Sequence, residues 1–132
     1  MKYLGIDYGE KRIGLALSDS EGKMAFPKET ISNNNQFFSF VKKYMEDNKA
    51  EAVVLGASYG QNKEANPIMK EILELKKALE NDGVKVFLER EDFSSMHAGL
   101  LAENRENLDG SAAAIILERF LARLGVGTPP HQ

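Results

Sequence analysis

The sequence predicts an α/β fold: a mixed five-stranded sheet, three antiparallel strands followed by two parallel ones, flanked by helices. Three observations predict it. The chain begins with short apolar runs broken by tight polar turns, the pattern of an antiparallel meander. After the polar run Ser32, Asn33, Asn34, Asn35 the apolar spacing alternates between helical and strand-like, and parallel neighbours need such crossovers. The chain closes on a strongly amphipathic helix that must pack on something apolar.

Lys2 to Tyr8 and Arg12 to Ser18 are two apolar runs separated by Gly9, Glu10 and Lys11, which predicts a hairpin. A third strand is expected over Lys23 to Phe26, after the turn Ser20, Glu21, Gly22. Phe37, Phe38, Val41, Tyr44 and Met45 then recur at helical spacing, with Lys42, Lys43 and Glu46 directed to water. Glu51 to Gly56 is a continuous apolar run, expected as a strand buried on both faces and as the neighbour of the first strand. A helix is expected from Pro67, whose fixed φ suits a first turn, to Asn81, with Gly83 placed to end it. Val84 to Leu88 reads as the next strand, and a weaker helical stretch follows from Ser94 to Glu103. In the last helix Ala113, Ile116, Leu117, Phe120, Leu121 and Leu124 form one apolar stripe.

A length of 132 residues suits one domain, placed at residues 1–125, with 126–132 as a flexible tail. Hydrophobic residues make up 42% of the chain, yet no run approaches the ~20 apolar residues a membrane-spanning helix needs. The absence of cysteine excludes disulfides and thiolate chemistry, and no secretory signal pattern precedes the first strand, so a cytoplasmic location is expected. A net charge of −3 argues against a broad basic surface for nucleic acid and leaves room for a local basic patch.

Within the first strand Asp7 is the single acid of an apolar run, LGIDYG, and it falls at the strand's carboxyl end. Sites of open α/β sheets form at that edge. Glu91 follows the strand Val84 to Leu88, and Asp109 opens the last helix on the same face as Ala113, Ile116 and Phe120, so its side chain is expected to point to the sheet. Three carboxylates brought together would raise one another's pKa unless cations compensated them. Hard oxygen ligands suit Mg²⁺ or Mn²⁺, and a pair of such ions supports phosphodiester hydrolysis.

The stretch LGIDYGEKRIGLALSD resembles the opening motif of the YqgF/RuvX family, assigned to pre-16S rRNA processing and also called Holliday junction resolvase-like, in which a strand-borne Asp precedes a Lys-Arg-Ile-Gly turn. VVLGASYGQ, Arg90 to Ser95 and Asp109 to Leu117 resemble the family's three later motifs, so the likeness covers nearly the whole chain. It implies a ribonuclease H-like fold, with Asp7, Glu91 and Asp109 as catalytic, metal-binding residues. Two departures stand out. Ala57 replaces the Pro that usually follows the second motif's Gly, and the acid and base flanking Glu91 are exchanged as Arg90 and Asp92. Glu89 and Asp92 remain alternatives to Glu91 as the ligand.

Bland roles stand beside these. Asp7 could cap a turn, Glu91 could belong to a solvated charged run, and Asp109 could serve as an N-cap. Lys11 and Arg12 are candidates to bind a substrate phosphate, with Arg90, Lys63 and Arg105 as weaker ones. Ser94 and Ser95 suit phosphate contact or helix capping, and neither His97 nor His131 has a partner at ligand spacing. The cluster Phe37, Phe38, Phe40 is expected to serve core or helix packing rather than to stack bases.

The expected function is metal-dependent endonuclease action on structured RNA, with precursor 16S ribosomal RNA as the substrate the resemblance implies, and the ribosome as a further partner. The alternatives are resolution of four-way DNA junctions, which calls for a two-fold dimer where the RNA enzyme is expected as a monomer, and a nucleic-acid-binding module without catalysis. The Gly-Ile-Asp start also resembles the first phosphate loop of actin and sugar-kinase-like ATPases. Those enclose nucleotide between two such domains, and this length supplies one.

Overall fold

In the first strand Leu4 and Ile6 are fully buried on one side of the sheet and Tyr3 and Gly5 are buried on the other, so the strand is covered on both faces. In the computed structural model, which describes residues 1–58, 68–91 and 111–127, the elements are β1 (Tyr3–Tyr8), β2 (Arg12–Ser18), β3 (Ala25–Ser32), α1 (Phe37–Asn48), β4 (Ala52–Ser58), α2 (Ile68–Asn81), β5 (Lys85–Glu91) and α3 (Ser111–Gly127). The strands form one sheet in the order β3-β2-β1-β4-β5. β1 pairs antiparallel with β2 and parallel with β4, β2 pairs antiparallel with β3, and β4 pairs parallel with β5. The mixed topology is the one the sequence predicts, with β1 at the centre.

The sheet divides two cores. Leu4, Ile6, Ile13, Leu15, Val53 and Leu55 face α1 and α2, which contribute Phe37, Val41 and Met45 and Met69, Ile72, Leu75 and Leu79. On the other face Tyr3, Ala16, Ala52 and Val54 pack under Ala113, Ile116, Leu117, Phe120 and Leu121 of α3. β4 contributes to both, as its unbroken apolar run predicts. Each large side chain so buried stabilises the fold by ~1.5–3 kcal/mol relative to exposure. Tyr3, Phe87 and Phe120 form an aromatic triangle with centroids 5.1 to 6.3 Å apart, fixing α3 against β1 and β5.

Gly83, at φ 87°, ends α2, and the N–H of Val84 returns to the carbonyl of Leu79 at 3.0 Å. Asp19 Oδ1 accepts the N–H groups of Lys23 and Met24 at 2.6 and 3.2 Å and so closes the β2–β3 turn. These bonds hold its carboxyl below the ordinary range.

Four expectations change. The third strand is Ala25–Ser32 rather than Lys23 to Phe26: Pro27, Lys28 and Glu29 obscure its alternation, and an edge strand tolerates Pro and charge where a central one would not. β5 continues past Leu88 to Glu91 because a buried ion pair accommodates Glu89 in the strand. Leu124 lies outside the buried stripe at 45% exposure, whereas Phe40 stacks on Tyr44 one turn along α1, within the core or helix packing expected of the cluster. α3 runs to Gly127, past the tail boundary drawn at 125. The helix expected from Ser94 to Glu103 lies outside the described residues. Among the described residues no helix is long and apolar enough to cross a membrane.

Candidate active site

Ile6, Leu55 and Leu88 share one register row across the three parallel strands. Asp7 lies one residue beyond that row and Glu91 three, both toward the carboxyl edge. Asp7 is half-buried and stands opposite Gly14 of β2. Alternation places it in phase with Tyr3 and Gly5, the α3 side of the sheet: Tyr3 belongs to the α3 core, and Gly5 lies against Ala113 and Leu117. In β5 the same side carries Phe87 and Glu89, and the backbone of Glu91 pairs with that of Ser58 at the end of β4.

α3 enters at this edge. Gly5 meets Ala113 and Leu117, whereas Tyr3, nearer the start of β1, meets Phe120 at 5.4 Å. The helix therefore begins beside the carboxyl end of β1 and runs back toward its amino end. Asp109 lies outside the described residues, two positions before Ser111. The carboxyl edge thus brings together Asp7, the end of β5 and the first turn of α3. Among the described residues no three acids or histidines form a metal-binding cluster.

Glu89, an alternative to Glu91 from sequence, is 4% exposed, with one oxygen bonded by Arg123 and the other 3.9 Å from Arg119. That commits it to holding α3 on β5, since a buried carboxylate needs such partners. Asp92, the other alternative, lies outside the described residues, as do Lys63, Ser94, Ser95, His97, Arg105 and His131. The double substitution Arg119→Ala, Arg123→Ala should cost ~1–3 kcal/mol in chemical denaturation, less than a fully buried pair because Arg123 is largely exposed. Glu89→Gln in the same chain should recover part of the loss by removing the unpaired charge.

Lys11 and Arg12 are exposed on the β1–β2 turn next to Asp7. The turn is tight: a Cβ on Gly9 would come 2.6 Å from the carbonyl oxygen of Arg12. Asn33, which follows β3, donates its side-chain amide to the Gly9 carbonyl at 2.8 Å and its backbone N–H to the Lys11 carbonyl at 2.9 Å. Next to it the Tyr8 hydroxyl donates to Glu71 Oε1 of α2 at 3.0 Å, and the Tyr8 ring meets Phe37 edge-on at 6.0 Å. Burial raises the Tyr8 pKa, a bond from Asn33 lowers it, and Glu71 raises it further. Sequence reasoning passed over Asn33, Tyr8 and Glu71, because a polar run before a helix and an exposed acid carry no periodic signal.

Asp7, half-buried at this edge, offers hard carboxylate oxygens, which suit Mg²⁺ or Mn²⁺ better than soft metals. The sheet order, the crossovers and α3 across the second face define a ribonuclease H-like fold. The solved structure of RuvC from Thermus thermophilus matches it with a TM-score of 0.61 at 17% identity, over 95% of this chain and 97% of that one. The fowlpox virus Holliday junction resolvase matches with a TM-score of 0.52 at 15% identity, over 96% and 99%. The model of the family described as "RuvX: Holliday junction resolvase" matches residues 1–123, and the chain belongs to that family. Relatives named "Putative pre-16S rRNA nuclease" include one from Oleidesulfovibrio alaskensis, 35% identical over 92% of each chain. Another, from Maridesulfovibrio salexigens, is 34% identical over 93% of this chain and 99% of its own.

Proposed function

We propose that this protein is a metal-dependent endonuclease of structured RNA, hydrolysing precursor 16S ribosomal RNA at the 5′ end of the mature sequence. The observation that carries this is the convergence at one sheet edge of Asp7, the last residue of β5 and the amino end of α3. Family membership and the names of the relatives support RNA as the substrate. Asp7, Glu91 and Asp109 would hold Mg²⁺ or Mn²⁺. Bound there, the ions would activate water and neutralise charge developing on the phosphodiester. Asp7, on a strand paired on both sides, supplies a ligand whose backbone cannot drift. Lys11 and Arg12 fix the substrate backbone through charge-assisted bonds to phosphate.

The test is cleavage of precursor 16S ribosomal RNA and of a four-way DNA junction, each with Mg²⁺, Mn²⁺ or a chelator. RNA cut at a discrete site with either ion and left intact with chelator is the expected result. Equal cutting in chelator would sink the metal-dependent mechanism.

A second reading, resolution of DNA junctions, draws on the family's description and on the fold shared with a Thermus RuvC solved with a Holliday junction. It requires paired symmetric nicks by a two-fold dimer. The same experiment separates the two, because an RNA enzyme leaves the junction uncut.

A further inference from the structure

Building on the nuclease reading, we propose that Asn33 is a positioning residue that fixes the β1–β2 turn, and with it Lys11 and Arg12, for contact with the RNA phosphates beside Asp7. The turn is anchored on one side by the β1–β2 ladder, in which Asp7 faces Gly14 and Tyr8 faces Ile13. On its outer side the β2–β3 ladder ends with Arg12 opposite Ser32, the last residue of β3. Asn33 supplies the constraint beyond it, holding the carbonyls at both ends of the Gly9, Glu10, Lys11 segment through a side-chain and a backbone donor.

The residue itself is well placed to be rigid. It directly follows Ser32, which pairs with Arg12 in the β2–β3 ladder, and it is half-buried. The chain beyond it is tied down as Asn34 Oδ1 accepts the Gln36 N–H at 2.9 Å and the Asn34 carbonyl accepts that of Phe37 at 3.0 Å, at the entry to α1. Tyr8, adjacent to Gly9, is held by Glu71 from α2. The turn carrying the two cations is thus referenced to β3, α1 and α2 as well as to the strand that bears Asp7. Two long, flexible cationic side chains lose less freedom on binding phosphate when their backbone is fixed, so the anchor acts on substrate affinity rather than on chemistry at the carboxylates.

The experiment measures affinity for a precursor 16S RNA fragment in an Asp7→Asn background, which blocks cleavage, across a series of salt concentrations. The variants are Asn33→Ala, Asn33→Asp, the pair Lys11→Ala with Arg12→Ala, and Asn33→Ala combined with that pair. Asn33→Ala should weaken binding about tenfold and lower the slope of log affinity against log salt by about 1–2, as the lost phosphate contacts dictate. Added to the Lys11, Arg12 pair, it should change affinity less than about twofold, because the contacts it positions are already gone. Asn33→Asp, equal in shape but without the amide donor, should match Asn33→Ala and decides the matter if the alanine variant does not fold.

An unchanged salt slope, or a loss that adds fully to that of the Lys11, Arg12 pair, would overturn the anchor while leaving the nuclease reading intact. Failure of the parent to bind either RNA or a four-way junction would overturn both.

Discussion

Asp7→Asn is expected to abolish metal-dependent cleavage while leaving the fold as stable as before, or more so. The substitution keeps the volume of a half-buried side chain and its place in the ladder opposite Gly14. What it removes is a negative charge at the edge where Glu91 and Asp109 are proposed to join it, and relief of that repulsion would offset any bond the carboxylate made. The loss of activity should reach ~10²–10³-fold or more, the scale of deleting one group that stabilises transition-state charge. Calorimetry supplies the second signature. A cation that binds only the folded chain raises its stability by ~2.7 kcal/mol at a hundred times its Kd, so the wild-type midpoint should climb with added Mn²⁺ and that of Asp7→Asn should stay flat. A variant that still cuts, or still gains stability with Mn²⁺, would show that Asp7 merely caps the turn.

The sequence carries the fold through period. The switch from alternating to helical spacing after Ser32 marks where the meander ends, and the all-apolar run of β4 reveals a strand covered on both faces. It misplaced β3 because an edge strand is permitted the Pro27, Lys28, Glu29 sequence that a central strand could not hold. It ended β5 early because Glu89 looks solvated until α3, remote in the chain, lays Arg119 and Arg123 across it. The candidate site divides the same way. Asp7 stands out from sequence, as an acid inside an apolar run has few bland explanations. Asn33 does not, since its value lies in two carbonyls more than twenty positions away that only the folded chain brings within reach. Local patterns report what a residue needs from its neighbours; they are silent on what a distant element needs from it.

Gly5→Val is expected to destabilise the protein by ~1–3 kcal/mol, the usual cost of overpacking, and to impair activity disproportionately. Gly5 lies mid-strand, where a β-branched residue would ordinarily gain up to ~1 kcal/mol in strand preference. Here a Cβ would sit 3.0 Å from both the carbonyl oxygen of Ala113 and the Cβ of Leu117. The first is backbone and cannot yield by rotation, so α3 must lift. The helix is pinned farther along by the rings of Tyr3, Phe87 and Phe120 and by the Glu89 ion pairs, which makes its amino end the part free to move. That end stands at the edge shared with Asp7, so the displacement should weaken the Mn²⁺-dependent gain in stability as well as lowering the metal-free midpoint. Gly5→Ala, with one methyl and the same close contacts, should show the effect in smaller measure. Leu117→Ala added to Gly5→Val should recover only part of the loss, since alanine retains the offending Cβ and the Ala113 carbonyl remains. If Gly5→Val lowered stability but left the Mn²⁺ response and cleavage intact, the amino end of α3 would have no part in the site.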